Sequence, residues 1–263
     1  MPTGRCCRTS ACGRRRAGPF RLGREGRTWP PPEPTEVPGA TESGPAAPDT
    51  FFVTGTDTGV GKTLVSALLC RAWNAAYWKP LQTGAADGDD DTRTVADLAG
   101  LPPQRTFAPA RVYQAPASPE WAATLEQTRV GVAEVLACRP KVTGPLVVEG
   151  AGGVLVPVNE RETMLDLMRD LAAPVIVVAR SGLGTVNHTL LTLEALSARG
   201  LTVHGVVLSG PPAPHNRAAI ERHGGVRVLA EVPPLGEVTA ARVAQVAPDL
   251  FGARPAASLA LSS

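Results

Sequence analysis

Between an apolar run, Phe51-Phe52-Val53-Thr54, and an amphipathic stretch opening near Gly61 lies the segment Gly55-Thr56-Asp57-Thr58-Gly59-Val60-Gly61-Lys62-Thr63. A strand that turns through small residues straight into a helix beginning Gly-Lys-Thr has few structural solutions. The glycines let the backbone wrap around a phosphate with its N–H groups turned inward, and the helix start adds a positive dipole end. Lys62 supplies a mobile charge for the β and γ oxygens of ATP, and Thr63 a hydroxyl for Mg²⁺. The general motif has four residues between its glycines, whereas five separate Gly55 from Gly61. A plain glycine-rich turn is the competing reading. The strand before and the helix after favour a phosphate loop.

A phosphate loop of this kind belongs to an α/β domain, and the rest of the chain agrees. Short apolar runs at Phe51–Thr54, Tyr77-Trp78, Leu146–Glu149, Pro174–Ala179, Gly205–Ser209 and Val226–Leu229 read as strands. Several are apolar throughout, as strands covered on both faces are. Helical patterns run over 61–73, 93–99, 130–138, 164–171 and 185–199. Alternation of this sort implies parallel pairing with right-handed crossovers. The expected fold is a three-layer P-loop NTPase with a mainly parallel central sheet, spanning residues 49–252.

The flanks are different. Residues 1–48 hold nine Pro, seven Gly and eight Arg against four Glu, and show no periodicity. They read as a disordered low-complexity tail, and 253–263 as a second loose end. The net charge of +2 therefore belongs to the tail, since the remainder carries 18 basic against 20 acidic residues. Such a body gives no reason to expect nucleic acid. No apolar run approaches the roughly 18 residues of a membrane span. Three of the five cysteines lie in the tail, and Cys70 and Cys138 read as core residues. No disulfide framework is suggested, so the cytoplasm is the expected compartment.

Three more segments belong at the carboxyl edge of such a sheet, where ligands gather. Lys79 follows the short second strand in Lys79-Pro80-Leu81-Gln82-Thr83-Gly84, and it is one of only three lysines. It is a candidate second cation for a transferring phosphoryl group. Asp89-Asp90-Asp91 precede a helix; one of them is expected to cap it and another to bind Mg²⁺. Glu149 ends a buried strand, where an acid is costly unless paired or bound to metal. Glycines follow it in Gly150-Ala151-Gly152-Gly153. His188, early in a helix, is expected to pack or cap.

Together with Gly182-Leu183-Gly184-Thr185-Val186-Asn187-His188 and Ala230-Glu231-Val232-Pro233-Pro234-Leu235, these segments resemble the dethiobiotin synthetase family, in order, over about 51–237. The five-residue gap in the phosphate loop is similar to the family's own. The resemblance implies an ATP- and Mg²⁺-dependent cyclo-ligase. It carboxylates 7,8-diaminononanoate with CO₂, phosphorylates the carbamate and closes the ureido ring of dethiobiotin, releasing ADP and phosphate.

By match to the family, Lys62 and Lys79 act on the transferring phosphoryl group, and Thr63, Asp91 and Glu149 hold Mg²⁺. Nucleotide contacts are implied at Gly59, Val60, Gly61, Lys62, Thr63, Leu64, Asp91, Glu149, Gly150, Ala151, Gly152, Ser209, Gly210, Pro233, Pro234 and Leu235. Substrate contacts are implied at Thr58, Thr83, Gly152 and Gly153. The family's homodimer adds the neighbouring subunit's helix start, here Leu183, Gly184, Thr185, Val186 and Asn187, for the substrate carboxylate.

The chain departs from the family pattern in three places. Gly59 replaces a glutamate found in some members. Fifteen residues separate Thr63 from Lys79, fewer than the pattern leads one to expect. Ser209 stands where other members present an asparagine to adenine, which predicts weak discrimination among nucleotides. Related amide synthases would need a glutaminase cysteine that neither Cys70 nor Cys138 provides. Partitioning ATPases would carry a lysine where Asp57 stands.

Overall fold

The computed structural model describes residues 50–253; the two tail assignments lie outside them, apart from Ala253, as do the three cysteines at positions 6, 7 and 12. The first strand, β1 (Thr50–Gly55), is buried at every position and pairs in parallel with strands on both sides. Its side chains alternate between two cores: Phe52 faces one, Phe51 and Val53 the other. The same alternation in β7 (Val175–Arg180) sends Val175 and Val177 to the first core and Ile176 and Val178 to the second. Both faces of the sheet are thus covered, which accounts for the uninterrupted apolar runs.

Seven strands form the main sheet in the order β4 (Thr106–Phe107), β2 (Ala76–Trp78), β6 (Leu146–Gly153), β1, β7, β8 (Val203–Ser209), β9 (Val228–Val232), and every pairing is parallel. A small parallel pair, β3 (Leu81–Gln82) with β5 (Arg111–Val112), lies beyond the end of β2. One face carries α1 (Lys62–Trp73), α2 (Asp91–Ala99) and α8 (Ala240–Phe251). The other core takes residues from α3 (Pro119–Leu125), α4 (Val132–Ala137), α5 (Met164–Leu171), α6 (Thr185–Ser197) and α7 (Pro214–Gly224). The expected three-layer fold is therefore present.

Several boundaries differ from the sequence reading. β6 continues through the glycines to Gly153, and β9 begins two residues late because α7 closes on Gly225 in a left-handed turn. α2 starts at Asp91, since Asp90 caps it by accepting from Arg93 N at 2.9 Å. α3 and α7 carry no clear apolar stripe in sequence, whereas α8 does, through Val243, Val246, Ala247 and Leu250. α7 buries only Ile220, and α8 contains Pro248. Cys70 is buried as expected, but Cys138 is exposed, because α4 ends at Ala137 and Cys138 forms its cap.

The short connection after α1 is made by two residues. Asn74 turns through a left-handed conformation (φ 52°), with its N–H on Cys70 O, and Ala75 leads into β2. Tyr77 and Trp78 are fully buried, each burial worth about 1.5–3 kcal/mol. β2 is thereby anchored and Lys79 delivered to the sheet's carboxyl edge.

Candidate active site

The phosphate loop closes with Gly59 and Gly61 in left-handed conformations (φ 71° and 97°), Gly61 forming the cap of α1. A side chain at Gly61 would also meet Ser209 Oγ, 2.9 Å from where its Cβ would lie. Val60 and Leu64 turn their side chains into the core beneath the loop and do not line the cavity described below. Lys62 is buried, and its Nζ donates to Asp57 O at 3.0 Å. Burial, and then the charge of Lys79, lowers its pKa.

Above Lys62 four side chains from four elements meet. Lys79 Nζ lies 2.5 Å from Asp91 Oδ2 and 3.1 Å from Glu149 Oε1. Thr63 Oγ1, with one proton to donate, lies 2.7 Å from Asp91 Oδ1 and 3.2 Å from Glu149 Oε1. Burial works against the charge on Lys79, but Glu149 and Asp91 outweigh it and raise its pKa. Asp91 is held low despite burial, by Lys79 and by its hydrogen bonds. Asp89 lines the same cavity, so two lysines and three carboxylates give the site fixed charges of both signs.

Two supporting residues were not singled out from the sequence. Tyr77 Oη donates to Glu149 Oε2 at 2.9 Å, and burial followed by the Glu149 charge raises its pKa well above 10. Strand alternation puts Tyr77 and Lys79 on one side of β2, a signal that was available. Gln82 Oε1 accepts from the Asp91 N–H at 3.1 Å, fixing the first residue of α2. The three aspartates divide their work: Asp90 caps, Asp91 meets Lys79, and Asp89 lies against Gly84.

A cavity of about 690 Å³ opens over this cluster, reached by Thr58, Gly59, Thr83, Ala151 and Gly152 as well as the charged residues. Gly153 faces a neighbouring cavity of about 500 Å³, which Thr58 and His188 also line. Gly150 serves packing, since a Cβ there would fall 2.8 Å from the Phe52 ring. Ser209 ends β8, Gly210 follows it and Pro233, Pro234 and Leu235 follow β9 at the same sheet edge, but none of them lines the larger cavity. Leu183 to Asn187 also stand outside it; Leu183 and Gly184 precede α6, with Leu183 fully exposed and Thr185 buried.

The donor set fits Mg²⁺. Among the described residues no three His, Cys, Asp or Glu side chains cluster as a metal cage. Mg²⁺ does not need one, because it prefers one or two carboxylates with phosphate oxygens and water. Asp91 and Glu149 each place a hard carboxylate oxygen within hydrogen-bond distance of the Thr63 hydroxyl, beside the phosphate loop.

A family model described as an AAA domain matches residues 49–242. The ATP-dependent dethiobiotin synthetase BioD of Paramagnetospirillum magneticum is 55% identical over 201 residues, covering 76% of this chain and 95% of that protein. The chain belongs to the dethiobiotin synthetase family. The corresponding BioD of Novosphingobium aromaticivorans is 47% identical over 195 residues, 74% of this chain and 93% of that one. The biotin biosynthesis bifunctional protein BioCD of Bordetella avium is 58% identical over 196 residues, which are 74% of this chain but 42% of that longer protein.

Against the dethiobiotin synthetase pattern, the short α1–β2 connection leaves Lys79 on both Asp91 and Glu149. At Gly59, the left-handed backbone has open space around it, so the missing glutamate leaves no packing defect.

Proposed function

We propose that this chain converts 7,8-diaminononanoate, CO₂ and ATP into dethiobiotin, ADP and phosphate, as a Mg²⁺-dependent cyclo-ligase. The observation that carries this is the meeting of Lys79, Thr63, Asp91 and Glu149 directly beside the phosphate-loop lysine. An amine of the substrate adds CO₂ to form a carbamate. A carbamate oxygen attacks the γ-phosphorus of ATP and ADP leaves. The second amine then attacks the carbamate carbon, expelling inorganic phosphate and closing the ring.

In this reading Lys62 and Lys79 follow the charge on the phosphoryl group as it passes between oxygens, which is most of what such a transfer requires. Thr63, Asp91 and Glu149 would hold Mg²⁺, whose chemistry is to neutralise and orient phosphate oxygens. The loop N–H groups and the start of α1 bind the nucleotide phosphates. Ser209, whose Oγ lies close to Gly61, and Gly210 are assigned to the nucleotide's base side. Pro233, Pro234 and Leu235, beyond the neighbouring β9, are assigned there too. Thr58, Thr83, Gly152 and Gly153 are assigned to the diamine.

The acting unit is proposed to be a homodimer in the cytoplasm, with residues 183–187 of the neighbouring subunit receiving the substrate carboxylate. Supporting this, Leu183, Leu155 and Leu191 are exposed apolar side chains (102%, 60% and 56%) near the start of α6 and the end of β6. Among the described residues no helix is long and apolar enough to cross a membrane. The reaction path is tested by supplying ¹⁸O-labelled bicarbonate and analysing the released phosphate. Carbamate phosphorylation transfers one labelled oxygen to phosphate; unlabelled phosphate would rule the path out.

A further inference from the structure

The phosphate loop carries one residue more than the general motif between Gly55 and Gly61, and Asp57 is where that length is anchored. Thr56 N donates to Val178 O at 2.9 Å, so the β1–β7 ladder runs one residue into the loop. Asp57 is the first residue to leave it, and it makes three bonds. Its carbonyl accepts from Lys62 Nζ at 3.0 Å, and its Oδ1 accepts from Thr58 N at 2.7 Å. Its Oδ2 accepts from Arg180 Nη2 at 2.6 Å. Arg180 is the last residue of β7, 123 positions along the chain.

We propose that Arg180 is a positioning residue for the phosphate loop, acting through Asp57. It holds the peptide whose carbonyl steadies Lys62 and whose carboxylate orients the Thr58 N–H. Both partners are about half exposed, at 48% and 51%. A pair so placed contributes little to global stability, so its consequence is local. The bond is short and charge-assisted, and it ties the free part of the loop to a rigid strand end. The proposal rests on the nucleotide half of the function above and is independent of which acceptor takes the phosphoryl group.

The test uses the full chain and its Arg180→Ala, Arg180→Lys, Asp57→Asn and doubly substituted (Asp57→Asn with Arg180→Ala) variants. Binding of a fluorescent ATP analogue, kcat and KM for ATP and for the diamine, and the melting temperature are measured for each. Arg180→Ala and Asp57→Asn should each weaken ATP binding about two- to fivefold, the range of an exposed pair. The double variant should be no worse than either single one, the mark of a shared interaction. Arg180→Lys should recover part of the loss, while the melting temperature stays unchanged. Unchanged ATP binding in Arg180→Ala, or losses that multiply in the double variant, would overturn the proposal. So would a raised diamine KM with ATP binding intact, which would put Arg180 on the acceptor instead. A wild-type chain that binds ATP but makes no dethiobiotin would fault the acceptor assignment alone.

Discussion

Lys79 Nζ sits 3.1 Å from Glu149 Oε1, with the Glu149 side chain wholly removed from solvent. The pair joins the end of β2 to the middle of β6, and Asp91 closes it from the start of α2 at 2.5 Å. A buried charge pair of this kind adds little stability over an apolar substitute, yet removing one partner strands the other. The arrangement is therefore better understood through function: it keeps an ammonium and two carboxylates together beside Lys62 until phosphate oxygens arrive.

Tyr77→Phe tests the support behind that pair. The substitution takes from Glu149 Oε2 its 2.9 Å hydrogen bond while keeping the ring's volume. Leaving a buried charged oxygen short of a partner costs about 1–3 kcal/mol. The melting temperature should fall by about 2–4 °C for each kcal/mol, and the Mg²⁺ concentration giving half-maximal rate should rise. Calorimetry and a Mg²⁺ titration check both; an unchanged Mg²⁺ requirement would show that Tyr77 only packs.

Ser209 carries a prediction about nucleotide choice. Its hydroxyl lies against Gly61, and one donor with two acceptor lone pairs on a freely turning oxygen suits no one base. Turnover with ATP, GTP and CTP should agree within about tenfold, as the small difference one hydrogen bond makes requires. Ser209→Asn should favour ATP. Strict ATP use by the unaltered chain would refute the assignment.

His204 gives a pH dependence remote from the site. Its ring packs edge-on to Phe51 at 5.0 Å between centroids, and burial, then the charge of Arg227, lowers its pKa from the ordinary 6.5. The folded chain thus binds a proton less readily than the unfolded one. Stability from this group is present above pH 6.5 and is lost as pH falls below it. Urea unfolding from pH 7.5 down to 5 should show His204→Phe losing less stability than the unaltered chain. Equal losses would mean that His204 does not contribute.

The exposed leucines bear on assembly. Leu183→Asp should turn a dimer into a monomer by sedimentation and raise the diamine KM, while ATP binding holds. A chain that sediments as a monomer before substitution would remove the shared-site proposal.

Much of this architecture is readable from sequence because strands buried on both faces need no partner to declare themselves. β1, β7 and β8 each hold an unbroken apolar run, Phe51–Val53, Val175–Ala179 and Val206–Leu208. α8 has a helical apolar spacing in Val243, Val246, Ala247 and Leu250, but Pro248 inside it argues against a helix when only the sequence is read. α7 shows a single buried apolar residue. In the site, Lys79 stood out through the scarcity of lysine, and Glu149 through its place at the end of an apolar run. Asp91 needed the resemblance to the family, because local chemistry treats Asp89, Asp90 and Asp91 alike until Asp90 is seen capping α2. Arg180 gave no signal at all. Its meaning depends on β7 lying beside β1, which no local pattern states.

The most direct measurement is the joint release of ADP and dethiobiotin by the purified chain given ATP, Mg²⁺, bicarbonate and 7,8-diaminononanoate, beside its Lys79→Ala variant. One dethiobiotin should form for each ADP, and kcat should fall about 10²–10³ in the variant, the usual loss when one transition-state charge partner is removed. ADP released without dethiobiotin, or a variant as fast as the unaltered chain, would overturn the proposed function.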